Sequence, residues 1–229
     1  MRVLFLGDSI TEGKLGVSYV PKVDIKDSEN SLVNRGVGGD TVSSLYSRVL
    51  KMKDLPSFDY IVVFIGVNDV FGKMSNTYKV LKLLRRQLWA KDSSVFKDHY
   101  NNLITHIKEK NKNIIIISPL LIGEDLSNKW NNELSGINNV IYDISKTNNL
   151  IYLDVYAQYK KYLSGKLISD YLPIKLLSIY KDSKTLTTTS LVDQKSNERG
   201  LHLTLDGVHL NTLGANILSK TITEYFEKL

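Results

Sequence analysis

Five short runs of β-branched and other apolar residues, with helical patterns between them, constrain the fold of this chain most strongly. The runs cover residues 3–6, 32–36, 60–65, 114–118 and 150–155. Apolar runs of this length, bounded by polar turns, are typical of strands buried on both faces of a parallel sheet. Parallel strands that alternate with helices need crossover connections, which cover the sheet on both faces. The sequence therefore predicts an α/β fold, a three-layer α/β/α sandwich with a central five-stranded parallel sheet.

Apolar stripes at helical spacing lie between and after these runs. They comprise Val42, Leu45, Tyr46, Val49 and Leu50; Phe96, Tyr100, Leu103, Ile104 and Ile107; Leu134, Ile137, Ile141 and Ile144; and Leu213, Ile217, Leu218, Ile222, Tyr225 and Phe226. Asn211 stands just before the last stripe and is predicted to be its N-cap. These stripes predict the helices that cover the sheet.

Length and composition indicate an ordinary globular protein. The 229 residues are 42% hydrophobic and 24% charged, which fits a single domain over 1–229. The absence of cysteine excludes disulfides, cysteine nucleophiles and thiolate metal sites. The apolar run at 2–6 is too short for a signal-peptide core, and no stretch approaches the roughly 20 apolar residues that a membrane span needs. We therefore expect a cytoplasmic protein.

The positive charge of the chain is concentrated in one segment. Residues 70–91 carry six of the 30 basic residues and no acid, so the remaining 24 bases balance the 24 acids and the net charge of +6 belongs to this segment. A diffuse nucleic-acid-binding surface is not expected. The sequence predicts an amphipathic helix here, with Val80, Leu81, Leu84 and Leu88 on one arc and Lys79, Lys82, Arg85 and Arg86 on the other. This segment and the insertion at about 157–200 are predicted lids.

Polar fragments follow the predicted strands at their carboxyl ends. Ser9 follows the first strand, Gly39 the second and Asn68 the third, while Asp206 and His209 come after the fifth. Ligands of parallel α/β sheets bind outside the carboxyl ends of the strands. The five residues are therefore expected to meet at one edge of the sheet.

These residues provide the parts of a serine hydrolase. Asp206 and His209 are three positions apart across Gly207, close enough for the carboxylate to orient an imidazole that faces the Ser9 hydroxyl. Gly39 offers a backbone N–H without a Cβ, and Asn68 offers a side-chain amide. Together with the N–H of Ser9, they predict an oxyanion hole.

Other chemistries fit these residues less well. A zinc site could use His202, Asp206 and His209, but their spacing is not that of a zinc-binding helix, and it would leave Ser9 and Asn68 without a role. Each fragment alone also suits a turn or a helix cap. We expect neither a metal ion nor a cofactor.

The fragments Gly7-Asp8-Ser9-Ile10, Gly39, Gly66-x-Asn68-Asp69 and Asp206-x-x-His209 resemble, in this order, the four sequence blocks of the SGNH branch of the GDSL esterase/lipase family. The resemblance implies a flavodoxin-like fold of the SGNH-hydrolase type, a Ser9 nucleophile and a triad completed by Asp206 and His209. It also implies an oxyanion hole of Ser9, Gly39 and Asn68. Two positions depart from the family pattern: Ile10 replaces leucine, and Leu210 follows the histidine where proline is common. Neither change removes a reacting atom.

The sequence thus predicts a serine ester hydrolase that works through an acyl-enzyme on a small-molecule ester. One substrate class is a small acyl group on a carbohydrate, for which Tyr152, Tyr156, Tyr159, Tyr162, Tyr171 and Tyr180 could form a stacking wall, although packing roles are more common for tyrosine. A second hypothesis is a lysophospholipase or thioesterase that acts on lipid esters, with the basic segment on an anionic membrane surface. A third is a non-catalytic binding module on the same fold. Membrane contact is the less favoured interpretation of the basic segment.

Overall fold

A parallel sheet of five strands forms the centre of the fold. The computed structural model describes residues 1–25, 31–172 and 176–229. The strands are β1 (Arg2–Gly7), β2 (Ser31–Gly36), β3 (Tyr60–Phe64), β4 (Ile114–Ile117) and β5 (Ile151–Leu153). They lie in the order β2-β1-β3-β4-β5, and each neighbouring pair is parallel. The predicted central sheet is confirmed.

Burial explains why the central strands have unbroken runs of apolar residues, from which they were predicted. The four isoleucines of β4 are completely buried, and only the first residue of β1 is exposed. The edge strands β2 and β5 are mostly half-buried. A strand covered on both faces must be apolar along its whole length, whereas an edge strand tolerates polar residues such as Asn34 and Arg35.

The helices follow the predicted stripes. They are α1 (Ser9–Glu12), α2 (Val42–Val49), α3 (Val67–Phe71), α4 (Asn76–Leu84), α5 (Ser93–Lys110), α6 (Lys129–Thr147), α7 (Val155–Leu163), α8 (Leu176–Thr185), α9 (Thr189–Glu198) and α10 (Thr212–Phe226). Asn211 caps α10, because its side chain accepts a hydrogen bond from the N–H of Gly214. Helix α5 packs between α2 and α6, while α10 packs with α7 and the turn at Val20–Lys22. These two groups are the outer layers of the α/β/α sandwich.

The carboxyl ends of three neighbouring strands lead into the site. β1 runs into Asp8 and Ser9, β2 into the Gly38-Gly39 pair, and β3 into Asn68. Because β1 lies between β2 and β3, their following loops are brought side by side. Gly36 and Gly7 permit this close approach: a Cβ on Gly36 would lie 2.1 Å from the backbone nitrogen of Glu12, and one on Gly7 would lie 2.5 Å from the carbonyl oxygen of Phe64.

The predicted orientation of helix α4 was wrong. Lys82, predicted on the basic arc, is only 4% exposed, whereas Val80 and Leu84, predicted on the apolar arc, are 56% and 79% exposed. The reason is that the Lys82 ammonium hydrogen-bonds to polar atoms of the site, which outweighs the apolar pattern of the helix. A pattern of hydrophobic residues cannot reveal such a partner from another part of the chain.

None of the helices in the described ranges combines the length and apolar character that crossing a bilayer requires.

Candidate active site

Ser9 is the first residue of α1, two positions after the end of β1. Asp8 caps α1, since its Oδ1 accepts a hydrogen bond from the N–H of Ile10 at 3.0 Å. The helix ends at Gly13, whose left-handed conformation (φ 71°) closes the turn. This short capped helix leaves the Ser9 side chain partly exposed at the carboxyl edge of the sheet.

The imidazole of His209 connects Ser9 to Asp206. Its Nε2 lies 3.0 Å from the Ser9 Oγ, and its Nδ1 lies 2.9 Å from the Asp206 Oδ2. An ionised carboxylate only accepts hydrogen bonds, so Nδ1 donates to Asp206 and the unprotonated Nε2 faces the serine. The structure thus brings the three predicted catalytic side chains into one hydrogen-bonded chain, although Ser9 and His209 are 200 positions apart.

A tight turn fixes Asp206 relative to His209. Asp206 Oδ1 accepts hydrogen bonds from the N–H groups of Val208 at 3.1 Å and His209 at 2.9 Å. Gly207 allows the turn through its positive φ of 90°. The Leu205 N–H also donates to the carbonyl oxygen of His209 at 2.7 Å. The carboxylate is therefore held by the backbone that carries its own imidazole partner.

Burial and pairing act in opposite directions on the two titratable groups. Burial raises the pKa of Asp206, but the charge of His209 and the hydrogen bonds to it lower that pKa by more, so it lies below the ordinary value. Burial lowers the pKa of His209, but the charge and hydrogen bond of Asp206, together with the charges of Asp8 and Asp182, outweigh it, so the pKa lies above 6.5. The pair therefore favours an ionised Asp206 next to an imidazole that readily accepts a proton.

Gly39 and Asn68 lie at the same cavity as Ser9 and His209. This cavity has a volume of about 320 Å³. Its lining consists of Ser9, Glu12, Lys14, Leu15, Gly38, Gly39, Asn68, Phe71, Tyr78, Leu81, Lys82, Arg85, Gln87, Ile179, Ser183 and His209. Gly39 has a positive φ of 82°, and Asn68 Nδ2 donates to Asp8 Oδ2 at 3.2 Å. All the predicted site residues are thus brought together, with Asp206 buried behind His209.

Lys82 and Gln87 also line this cavity, and sequence reasoning assigned no role in the site to either. Lys82 Nζ donates to the carbonyl oxygen of Gly39 at 2.8 Å and to Asn68 Oδ1 at 3.4 Å. Gln87 Nε2 donates to the carbonyl oxygen of Gly38 at 2.9 Å. The concentration of basic residues in 70–91 was the available signal, but the helical pattern grouped Lys82 with the other basic residues, opposite the apolar arc.

The insertion before Asp206 contributes to the cavity through helix α8, which supplies Ile179 and Ser183. A buried ion pair joins this helix to the end of α9: Arg199 Nη2 lies 2.7 Å from Asp182 Oδ2. Arg199 Nη1 also donates to the carbonyl oxygen of Leu205, next to Asp206. The insertion is therefore tied to the segment that leads into Asp206.

The tyrosines of the predicted stacking wall do not line this cavity. Tyr159 is completely buried and its hydroxyl donates to the carbonyl oxygen of Gly214, Tyr152 packs on Tyr142, and Tyr180 is 64% exposed. The aromatic rings that do line the cavity, besides the His209 imidazole, are Phe71 and Tyr78. These tyrosines were expected at the cavity because they lie near the insertion in the sequence. Their side chains instead pack in the interior or face solvent.

The zinc alternative finds no support in the position of His202. Its Nε2 lies 2.8 Å from the carbonyl oxygen of Leu167, and no group of three histidine, aspartate or glutamate side chains in the described ranges is arranged to hold a metal ion.

Comparison with known proteins places the chain among acylhydrolases. The model of the GDSL-like lipase/acylhydrolase family matches residues 5–217. An acetylxylan esterase of Geobacillus stearothermophilus is 24% identical over 189 residues, and the match covers 71% of this chain and 79% of that protein. The crystal structure of the acetyl xylan esterase AlAXEase is similar with a TM-score of 0.69 and 22% identity, covering 98% of this chain and 99% of that one.

Catalytic mutants of the Geobacillus stearothermophilus acetylxylan esterase Axe2 are also similar in structure. The Asp→Ala mutant has a TM-score of 0.67 at 20% identity, covering 98% of this chain and 93% of that one. In Axe2 this aspartate and a second mutated catalytic residue, a histidine, are three positions apart. These structures confirm the predicted SGNH-type fold. The match of the family model over nearly the whole chain shows that this protein is a carboxylic ester hydrolase that belongs to the GDSL-like lipase/acylhydrolase family.

Proposed function

We propose that this protein hydrolyses esters of small acyl groups through a covalent acyl-Ser9 intermediate. The observation that carries the proposal is the hydrogen-bonded chain from Ser9 Oγ to His209 Nε2 and from His209 Nδ1 to Asp206. A serine hydroxyl becomes an effective nucleophile only when a base takes its proton, and this arrangement provides an oriented base. The spacing of aspartate and histidine in catalytic mutants of Axe2 supports the same roles.

The reaction would proceed in two halves. Ser9 Oγ attacks the ester carbonyl carbon while its proton passes to His209 Nε2. The tetrahedral intermediate then breaks its bond to the alcohol oxygen, which takes the proton from His209 and leaves. In the second half His209 takes a proton from water, the resulting hydroxide attacks the acyl carbon, and the bond to Ser9 Oγ breaks as the serine regains its proton.

The negative charge of each tetrahedral intermediate needs hydrogen-bond donors at the carbonyl oxygen. The N–H groups of Ser9 and Gly39 and the side-chain amide of Asn68 are the donors that we propose. Each donor of this kind contributes a factor of about 100 to 1,000 to kcat. Gly39 and Asn68 line the cavity with Ser9, which supports their assignment.

For the substrate we propose an acetyl or similarly short acyl group on a carbohydrate. The support is the similarity to acetylxylan esterases, together with a cavity of about 320 Å³, which lies at the small end of ligand pockets. Rates on p-nitrophenyl acetate, butyrate and octanoate and on acetylated xylo-oligosaccharides would test it. The proposal predicts the highest kcat/KM for acetyl esters and acetate release from the oligosaccharide.

A lipid ester is the second candidate, and one observation favours it. Leu84 on α4 and Leu177 on α8 are 79% and 84% exposed, and both helices line the cavity. Exposed apolar side chains on helices that line a cavity suit a lipid substrate better than a sugar. A higher kcat/KM for octanoyl esters or lysophospholipid than for acetyl esters, increased by anionic vesicles, would select this candidate.

The Ser9→Ala variant tests the mechanism. We expect hydrolysis of p-nitrophenyl acetate to fall by about 10⁴-fold or more. Ser47→Ala is the matched control, because Ser47 is exposed on α2 and its hydroxyl donates to the carbonyl oxygen of Ser43. Wild-type activity of a folded Ser9→Ala enzyme would contradict the mechanism, whether or not the protein binds esters.

A further inference from the structure

Lys82 is a buried cation at the candidate site that the four family sequence blocks do not include. It is 4% exposed, and among the described residues no carboxylate lies within 4 Å of its ammonium. Its hydrogen-bond acceptors are uncharged: the carbonyl oxygen of Gly39 and Oδ1 of Asn68. Burying an ammonium group is costly, so a lysine in this position needs a reason beyond packing.

The Asn68 amide is oriented by opposite charges at its two ends. Its Nδ2 donates to the Asp8 carboxylate at 3.2 Å, and its Oδ1 accepts from the Lys82 ammonium at 3.4 Å. A flipped amide would place an oxygen against the carboxylate and an NH₂ group against the ammonium, and both contacts would be repulsive. One orientation is therefore strongly preferred, and in it the NH₂ group keeps a second hydrogen for another acceptor.

Lys82 also connects two of the three proposed donors of the oxyanion hole, Gly39 and Asn68. The same ammonium that contacts Asn68 donates to the carbonyl oxygen of Gly39 at 2.8 Å. The preceding peptide is held by Gln87, which donates to the carbonyl oxygen of Gly38. Because the Gly38 carbonyl and the Gly39 N–H belong to one peptide plane and point in opposite directions, this bond directs the N–H away from Gln87.

We propose that Lys82 is a positioning residue that holds the Asn68 amide and the Gly39 loop in the geometry that binds the oxyanion. The inference rests on the proposed function of Ser9, Gly39 and Asn68. A donor contributes to transition-state stabilisation only if it is already oriented when the charge develops, since reorientation during the reaction costs free energy. Lys82 supplies this orientation by a charge-assisted hydrogen bond.

A double-mutant cycle tests whether Lys82 acts through Asn68. We expect Lys82→Met to lower kcat for p-nitrophenyl acetate by about 10- to 100-fold with little change in KM, because an oriented donor matters most in the transition state. In the Asn68→Ala background the same change should lower kcat by a smaller factor, about threefold, which is the part that Lys82 exerts through the Gly39 loop. Lys79→Met, on the same helix, is the control and should retain wild-type kcat.

Two further measurements separate positioning from damage to the fold. Lys82→Arg keeps the charge and should retain more kcat than Lys82→Met, while circular dichroism and the melting temperature show whether each variant is folded.

The pH dependence of kcat is the second measurement. Burial lowers the pKa of Lys82 to about 8, the Asp69, Asp8 and Asp40 carboxylates oppose this effect, and Arg85 adds to it. Wild-type kcat should therefore decrease as the pH rises through about 8, and Lys82→Met should lack this decrease.

The outcomes that would overturn the inference are distinct from failure of the proposed function. Fully additive effects of Lys82→Met and Asn68→Ala would show that Lys82 does not act through the amide. Lys82→Met could instead raise KM only for a p-nitrophenyl ester with a carboxylate in its acyl group, such as the hemisuccinate. That result would make Lys82 a substrate-binding group. If Asn68→Ala itself retained wild-type kcat, the proposed oxyanion hole would be wrong, and labelling of Ser9 would remain an independent test of the nucleophile.

Discussion

The carboxylate of Glu124 accepts two hydrogen bonds from Thr204, one from its backbone N–H at 2.9 Å and one from its hydroxyl at 2.8 Å. The same carboxylate accepts from the N–H groups of His202 at 2.7 Å and Leu203 at 2.8 Å. Glu124 is completely buried. Glu124 therefore holds the backbone of residues 202–204, just before the turn that carries Asp206. The hydrogen bonds to its carboxylate all come from donors of these residues.

Replacing Glu124 with glutamine should destabilise the protein and reduce its activity. The amide would offer one acceptor where the carboxylate has two, and its NH₂ group would face a backbone N–H. We expect a loss of about 2–4 kcal/mol in the free energy of unfolding, measured by urea denaturation. Glu133→Gln is the control, because Glu133 forms a half-exposed ion pair with Lys73 and should change stability by less than about 1 kcal/mol. Equal stability of the two variants would refute the role given to Glu124.

The pH dependence of kcat/KM should report the titration of His209. The mechanism needs a neutral imidazole, and the pKa of His209 lies above 6.5, because burial, which lowers it, is outweighed by the nearby carboxylates, of which Asp206 contributes most. Activity is therefore expected to be present above this raised pKa and to disappear as the pH falls through it. A pH–rate profile should show the midpoint of its acidic limb above 6.5. An acidic limb with its midpoint below pH 6.5 would mean that Asp206 does not stabilise the charged imidazole.

Asp206→Asn should greatly reduce kcat while preserving the fold. An asparagine amide can donate to Nδ1, which places the proton on Nε2 and leaves it unable to accept the Ser9 proton. The equivalent change in a serine protease lowers kcat by about 10⁴-fold. Any residual activity should have its acidic limb shifted to lower pH, because the charge that raises the pKa of His209 has been removed. Near-normal kcat in this variant would exclude the proposed role of Asp206.

The buried ion pair between Arg199 and Asp182 should determine how firmly helix α8 is attached. Both side chains are less than 10% exposed, so Arg199→Met leaves a buried carboxylate without its partner. Breaking a buried pair in this way typically costs about 3–5 kcal/mol. We expect faster proteolysis within 176–185 and a higher KM, because α8 lines the cavity through Ile179 and Ser183. Unchanged proteolysis and KM would show that the pair does not hold the helix.

The sequence was sufficient for the sheet and for the residues gathered at its edge. Strands such as β4 are covered on both faces and must be apolar throughout. The loops that follow the first three strands carry Ser9, Gly39 and Asn68, and parallel strands bring such loops to one edge of the sheet. The contacts of Lys82 and Glu124 could not be predicted in the same way. Glu124 binds backbone atoms 78 to 80 positions away, and Lys82 binds atoms 14 and 43 positions away, so no local pattern records either partner.

Labelling with a fluorophosphonate tests the central claim, that Ser9 is the nucleophile, most directly. These reagents react with a serine whose hydroxyl is activated by a neighbouring base. Mass spectrometry of the treated protein should show a single adduct on the peptide that contains Ser9, with loss of esterase activity in proportion to labelling. Ser9→Ala should give no adduct, and Ser47→Ala should label normally. An active enzyme that forms no adduct, or an adduct on another serine with Ser9 unmodified, would contradict the account.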